Sequence, residues 1–250
     1  MSNNPSGCGL RSALALVLAM GLPATSMAGP WEVGGTTPSK TRTFKFELAW
    51  KHTATKDTWT RPVLKFGAPL ADNLSYEVSG GYGAVENRGQ PTRGGMKDFT
   101  GALKWGLMRQ AEHGVDMMLE PKLTFDTGDV ASGVGGGVTA LKLPLRVGRN
   151  FGKVYLTGEV RYTHGFASHY TDLAGYGGLV EYKPNARWVV GVDLINDRPV
   201  HGSGDHWRSN VAFKYKPDKH WEWQGLLGRS LHNARGLMAT SVQFELAYKF

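Results

Sequence analysis

Apolar and polar residues alternate one by one in about twelve segments of the chain, and this alternation constrains the fold more than any other feature. The first segment reads TFKFELAWKH, where Phe44 and Phe46 alternate with Lys45 and Glu47. A two-residue period predicts strands with one apolar and one polar face. Each segment has about ten residues, the length that a tilted strand needs to cross a membrane. The regular spacing predicts an all-β barrel or sandwich.

The connections between these segments alternate between short and long. Short connections carry turn residues, as in PLADN (residues 69–73) and KPNA (residues 183–186). Long connections are rich in glycine or polar residues, as in TGDVASGVGGG (residues 127–137). Outer-membrane barrels have short periplasmic turns and long surface loops. We therefore predict that residues 41–250 form a closed, antiparallel, up-and-down transmembrane β-barrel of about 12 strands.

A soluble sandwich is the alternative, with one strand face in the core and the other in water. Two observations favour the barrel. Aromatic residues lie near the strand ends of the apolar face, among them Trp50, Trp188, Trp221 and Tyr248, as in the aromatic girdles of membrane barrels. Many glycines lie on the polar face, where they leave room inside a barrel.

The first 28 residues have the pattern of an export signal. Arg11 is their only charge and precedes an apolar run over residues 12–22, Pro23 ends that run, and Ser-Met-Ala precedes the expected cleavage after Ala28. This pattern predicts a secretory signal peptide, and a short membrane anchor is the alternative. The single cysteine, Cys8, would leave with it, so the mature chain would have no disulfide. Residues 29–40, GPWEVGGTTPSK, are expected to be a flexible periplasmic segment.

Composition excludes several other classes. No apolar run after residue 29 approaches the 18 or so residues of a transmembrane helix. The formal net charge of +8 is compatible with anionic solutes or an anionic lipid surface. Basic residues are not interleaved with aromatic residues in any run, so we expect no nucleic-acid partner.

Charged residues of both signs on the polar face are the candidate pore lining. An open pore would use them to set a field across a constriction, whereas the alternative is that they pair with each other and plug the barrel. Twelve strands lie between the filled eight-stranded barrel and the open sixteen-stranded barrel, so a narrow pore is expected. The candidates are Arg61, Lys65, Glu77, Lys104, Asp116, Glu120, Lys122, Glu159, Arg161, Glu181, Asp193, Arg208, Lys214 and Glu245.

No pattern in the chain predicts catalysis, a metal site or a cofactor. His201 and Ser203 have the spacing of a base and nucleophile in lipid-hydrolysing barrels, but they fall in a loop without a residue to orient the histidine. The histidines near predicted loops match no metal-ligand spacing. The glycines of residues 133–137 lack the strand-to-helix context of a phosphate loop.

The last ten residues, SVQFELAYKF, alternate up to a final aromatic residue. They resemble the C-terminal signature of Gram-negative outer-membrane barrels. The resemblance implies an insertion signal at Phe244, Leu246, Tyr248 and Phe250 that the barrel-insertion machinery reads. It also implies a place in the outer membrane, with membrane lipid and lipopolysaccharide as partners.

A second resemblance covers residue 94 to about residue 197. There GGMKDFTGALKWGLMRQ and MMLEPKLTFDTGD approximate two family elements. The first is a G-D-x-x-x-G-x-K-type strand, matched through Lys97, Asp98, Gly101 and Lys104. The second is an lPTG-type strand end, matched without its proline by TFDTG at residues 124–128. These segments resemble the MetA-pathway of phenol degradation family of outer-membrane barrels. The resemblance implies passage of small solutes, aromatic ones among them. We therefore predict a porin-like channel for passive uptake, with a non-conducting structural or adhesive barrel and a lipid-modifying barrel enzyme as alternatives.

Overall fold

The computed structural model describes residues 29–234 and 239–250, so the predicted signal peptide lies outside the described residues. Fourteen strand segments and one short helix occur in these ranges. The strands are β1 (Thr43–His52), β2 (Lys56–Ala71), β3 (Leu74–Asn87), β4 (Arg93–Met96), β5 (Thr100–Met108), β6 (Asp116–Leu119), β7 (Lys122–Thr124), β8 (Ala140–Phe151), β9 (Val154–Gly165), β10 (Leu173–Tyr182), β11 (Trp188–Pro199), β12 (His206–Tyr215), β13 (Trp221–Asn233) and β14 (Thr240–Lys249). The helix α1 (Gln110–His113) is a single turn that ends at Gly114 in a left-handed conformation, φ 77°.

The strands form one closed antiparallel sheet. Sequential neighbours pair throughout, and the first and last strands close the ring, from Thr43 opposite Lys249 to His52 opposite Thr240. β4 and β5 both pair with β3, and β6 and β7 both pair with β5 and β8, so each of these couples is one interrupted barrel strand. The predicted closed barrel of about 12 strands is confirmed.

The two interruptions have local causes. Pro121 separates β6 from β7, and proline has no N–H to donate to the ladder. The register against β8 is the same on both sides of it, since Met118 faces Arg146 and Lys122 faces Lys142. Between β4 and β5 the register against β3 shifts by one residue, a bulge over residues 97–99.

The outer face of the barrel is apolar and exposed. Soluble proteins rarely expose a contiguous apolar surface of this extent, whereas lipid covers it in a membrane barrel. Exposed residues of this face include Phe44, Leu48, Leu64, Leu103, Trp105, Leu156, Val160, Val180, Val192, Leu194, Val211, Leu227, Val242 and Phe244. Within the described ranges, no helix is long and apolar enough to cross a bilayer.

Long and short connections leave the barrel at opposite rims. We call the rim with the connections over residues 125–139, 166–172 and 200–205 the loop rim. The opposite rim, which we call the turn rim, has the tight turns, the start of β1 and the end of β14. Aromatic pairs band the outer face near the turn rim, with ring centroids 4.6 Å apart for Trp188 and Tyr215 and 4.8 Å apart for Trp221 and Tyr248. Trp50 and Trp59 form a similar pair, 6.0 Å apart, near the loop rim.

Candidate functional site: the barrel interior

Lysines and glutamates interlock on the inner face of β1, β2, β3, β5 and β14. Lys65 Nζ lies 2.5 Å from Glu47 and 2.7 Å from Glu245. Lys45 Nζ lies 3.2 Å from Glu245 and 3.8 Å from Glu77. Buried charges are tolerable only when each has a partner, so this alternation of sign keeps a polar interior stable.

The pairing continues around the opposite wall. Lys104 Nζ is 3.0 Å from Glu77 and 3.9 Å from Glu120. Lys104 therefore connects the ion pairs of the first wall with those of the opposite wall. Glu120 is paired with Arg146, whose Nε lies 2.6 Å from Glu159.

Further along the same wall, Arg161 contacts Glu159 at 3.1 Å and Asp197 at 2.7 Å, and Asp197 lies 2.9 Å from Arg208. The result is a continuous chain of ion pairs, which we call the charge belt. Its members on the wall are Lys45, Glu47, Lys65, Glu77, Lys104, Glu120, Arg146, Glu159, Arg161, Asp197, Arg208 and Glu245.

Most candidates from the sequence lie on the inner face, within the belt or beside it. Asp116 accepts a hydrogen bond from Tyr155 at 2.8 Å near the turn rim. Glu181 and Lys214 form a separate pair at 3.0 Å. Asp193 is fully buried and has no cationic partner among the described residues. Whether these residues line an open path stays a prediction.

Arg61 is the exception among the candidates. A bulge between Thr60 and Val63 changes the alternation of β2 at this point. The exposed Arg61 guanidinium lies 5.1 Å above the ring of Trp59, on the side of the outward aromatic residues. The expectation that Arg61 lines the interior was wrong because a bulge breaks the two-residue period that the expectation used.

Several belt members were absent from the sequence-based candidates: Lys45, Glu47, Arg146 and Asp197. The signal was available, since the first three alternate with outward apolar residues. A further inward pair near the turn rim, Lys249 and Glu222 at 2.7 Å, was missed in the same way.

Residues 29–40 lie inside the barrel, which differs from the flexible periplasmic segment expected from the sequence. Trp31, Val33 and Thr36 are buried, with exposed fractions of 5%, 0% and 1%. Trp31 and Val33 pack with inward apolar residues of the wall, among them Leu179 and Ile195. We call residues 29–40 the lumen segment.

Polar contacts fix the lumen segment to several strands. Asp193 accepts hydrogen bonds from the backbone N–H groups of Glu32, at 2.7 Å, and Val33, at 3.2 Å. The Glu32 carboxylate pairs with Arg208 of the belt. Lys214 Nζ lies 4.7 Å above the Trp31 ring.

Inward glycines make room for the lumen segment. A Cβ added at Gly177 would lie 2.9 Å from Val33 Cγ2, and one added at Gly191 would lie 2.9 Å from the Trp31 ring. A side chain at either position that is not bonded to the segment would press against it. The glycines that the sequence suggested would leave space inside the barrel thus accommodate residues 29–40 of the same chain.

The connection over residues 125–139 folds inward at the loop rim. Asp98 accepts backbone N–H hydrogen bonds from Gly128 at 2.8 Å and Gly136 at 2.7 Å, one on each carboxylate oxygen. Val134 reaches the inner face, since a Cβ at Gly83 would lie 2.9 Å from its Cγ1. The glycine-rich stretch therefore narrows the barrel entrance.

A small pocket lies near the turn rim. A cavity of about 20 Å³ lies between the lumen segment and the belt, with Ser39, Lys45, Glu77 and Lys104 in its lining. This volume holds about one water molecule.

The sequence also raised lipid hydrolysis and metal binding by histidines near the predicted loops. His201 and Ser203 are exposed in the connection after β11, away from the outward-facing strands. His206 is buried and hydrogen-bonded to Ser230 at 2.7 Å. Over residues 29–234 and 239–250, no group of three metal-ligating side chains comes together.

A closed antiparallel barrel with an apolar outer face and a charged inner face is the architecture of transmembrane β-barrel proteins. The solved structures similar to this chain have the same architecture. An outer membrane channel from Pseudomonas putida has a TM-score of 0.61 and 16% identity, covering 88% of this chain and 99% of that one. The NanC porin has a TM-score of 0.59 and 9% identity, and the match covers 83% of this chain and 100% of the NanC chain. The KdgM porin in complex with disordered oligogalacturonate has a TM-score of 0.56 and 12% identity, and the match covers 82% of this chain and 99% of the KdgM chain.

The TM-scores show that the fold is shared, and at these identities the likeness extends to the fold alone. No protein-family model matches the chain, and no curated protein matches it. The resemblance to the MetA-pathway of phenol degradation family therefore stays a prediction.

Proposed function

We propose that this protein is a porin-like channel of the Gram-negative outer membrane for passive uptake of small polar solutes. The observation that carries the proposal is the distribution of polarity around a closed 12-stranded barrel. Its outer face is suited to lipid, and its inner face is suited to water and charged solutes. Likeness over nearly the full length of two porins and a channel supports it.

The belt and the lumen segment point to a narrow and selective path. The belt places cationic and anionic side chains side by side on the inner wall, and such a lining favours polar and charged solutes over apolar ones. The KdgM porin carries an acidic oligosaccharide in its structure, and we propose small anionic solutes for this chain too. In the docked state of the lumen segment, flux would be low.

A non-conducting barrel is the second candidate function. Two observations favour it: the inner charges are paired with each other, and the lumen segment fills the interior near the turn rim. In that case the exposed loops would carry the function as adhesive or structural elements.

Single-channel recording separates the two candidates. Residues 29–250 would be refolded and inserted into planar bilayers, and folding would be checked by the change in gel mobility on heating. We expect small discrete current steps that grow when the lumen segment is released. Correctly folded barrels that stay silent even after its release would refute the channel and favour the structural barrel.

A further inference from the structure

Two lysines face each other on the inner wall, on the loop-rim side of the charge belt. Lys122 of β7 and Lys142 of β8 are direct partners in the antiparallel ladder. Both share the inward-facing alternation of Glu120 and Arg146. Side chains opposite each other in this way have Cβ atoms about 5 Å apart, and like charges in such positions destabilise a sheet.

Neither lysine is neutralised as the belt lysines are. Lys122 Nζ lies 4.0 Å from Glu120, but Glu120 already pairs with Arg146. Lys142 makes no hydrogen bond and no ion pair within 4.0 Å among the described residues. The neighbouring partners in the ladder are Ala102 and Thr163, which carry no charge.

Threonines lie next to both lysines in the ladder. Thr124 is the next inward residue after Lys122, and its Oγ1 lies 3.1 Å from that of Thr100. Thr163 is the direct partner of Lys142 on β9. The Lys122 side chain is 37% exposed, so a solute in the barrel can reach it.

We propose that Lys122 and Lys142 form a binding subsite for carboxylate groups of small polyhydroxylated acids. The inference rests on the proposed channel and names its solute class. Two ammonium groups carried by directly opposed residues of the ladder can take two carboxylate oxygens or two neighbouring carboxylates, and the neighbouring threonine hydroxyls can bond the hydroxyl groups of the solute. The unfavourable contact between the two cations is relieved when the anion binds.

The test is a direct binding measurement that does not depend on conduction. The refolded chain in detergent would be titrated calorimetrically with trigalacturonate, and in parallel with its neutral methyl ester. The variants are Lys122→Gln, Lys142→Gln and the double variant. Lys219→Gln is the matched control, since Lys219 is an exposed lysine in the turn between β12 and β13.

We expect wild type and the control to bind trigalacturonate and to ignore the ester. The double variant should bind at least about tenfold more weakly, as loss of two charge-assisted contacts implies. Its resistance to denaturant should equal or exceed that of wild type, because a like-charge pair is removed.

Three results would overturn the subsite: no binding of trigalacturonate to wild type, equal binding of the ester, or unchanged affinity in the double variant. A double variant that loses both stability and binding would also refute it, since the lysines would then be structural. Bilayer recordings of the same variants separate the two proposals. A silent barrel whose binding depends on both lysines removes the channel but keeps the subsite, and a conducting barrel without such binding does the reverse.

Discussion

Replacing Asp193 with alanine should release the lumen segment from the barrel wall. The buried Asp193 carboxylate accepts the N–H groups of Glu32 and Val33, and also the side-chain amide of Asn210 at 2.6 Å. The wall itself should survive, because β11 is held to β10 and β12 by backbone pairing along its whole length.

The size of the effect follows from the two segment contacts. A hydrogen bond to a charged group contributes about 1.5–3 kcal/mol, and water entering the vacated site recovers part of that. A net loss of about 2–3 kcal/mol for the docked state is therefore expected, with the packing of Trp31 and Val33 unchanged. This corresponds to a shift of about 30- to 150-fold toward the released state.

Single-channel recording in planar bilayers is the assay, with the fraction of time in large-conductance states as the readout. Asp218→Ala is the matched control. Asp218 also accepts two backbone N–H groups, from His220 at 2.7 Å and Trp221 at 2.9 Å, but it lies in the turn between β12 and β13. We expect Asp193→Ala to increase the large-conductance fraction and Asp218→Ala to leave it unchanged.

A locked variant gives the reciprocal result. With Val33→Cys and Gly177→Cys, the two Cβ atoms would lie within the range of a disulfide, since a Cβ at Gly177 is 2.9 Å from Val33 Cγ2. Oxidation should hold the channel in its low-conductance state, and a reducing agent should restore wild-type behaviour. If Asp193→Ala conducts as wild type does, and the oxidised lock leaves the current unchanged, the lumen segment does not obstruct the path and the reasoning fails.

Further predictions concern the belt, the loop rim and the last strand. Arg146→Met leaves two buried carboxylates without their main partner and should cost about 3–5 kcal/mol in denaturant unfolding; an unchanged midpoint would contradict the belt's role. Asp98→Ala should free the inward connection and increase its cleavage by protease, whereas cleavage at the wild-type rate would show that other contacts hold it. Hydrogen bonds from Tyr162, at 2.5 Å, and from His164 hold the pKa of the half-buried Asp172 below its ordinary 3.8. The stabilisation of the folded loop by Asp172 is therefore present above pH 3.8 and is lost as the pH falls through the lower pKa of the folded state. NMR titration of the Asp172 carboxylate should show this lowered pKa, and an ordinary pKa would refute the prediction. Phe250→Ala should slow assembly in lipid, measured as the heat-modifiable fraction over time, and equal rates would remove the insertion signal.

The strands and the barrel were predictable because their information is local. The alternation of TFKFELAWKH predicted β1 with its observed bounds, Thr43–His52. The same two-residue alternation predicted which charged residues face the barrel interior, such as Lys65 and Glu77. The two-residue period depends on the backbone geometry of an extended chain alone, and so the sequence is sufficient to detect it.

Tertiary structure decided which charges meet and what fills the barrel. Lys104 reaches Glu120, and Arg208 reaches Asp197, because the register of the pairing strands brings them together. The bulge that turns Arg61 outward depends on the fit between β2 and its neighbours, which the alternation does not encode.

The lumen segment is the clearest case of information beyond the local pattern. Residues 29–40 have no periodicity, and their apolar residues Trp31 and Val33 looked isolated in sequence. The surface that buries them comes from β10, β11, β12 and β13, some 150 to 200 residues further along the chain. Burial there depends on a cavity that exists only once the barrel has closed, so the sequence determined the wall, and the closed wall determined where residues 29–40 lie.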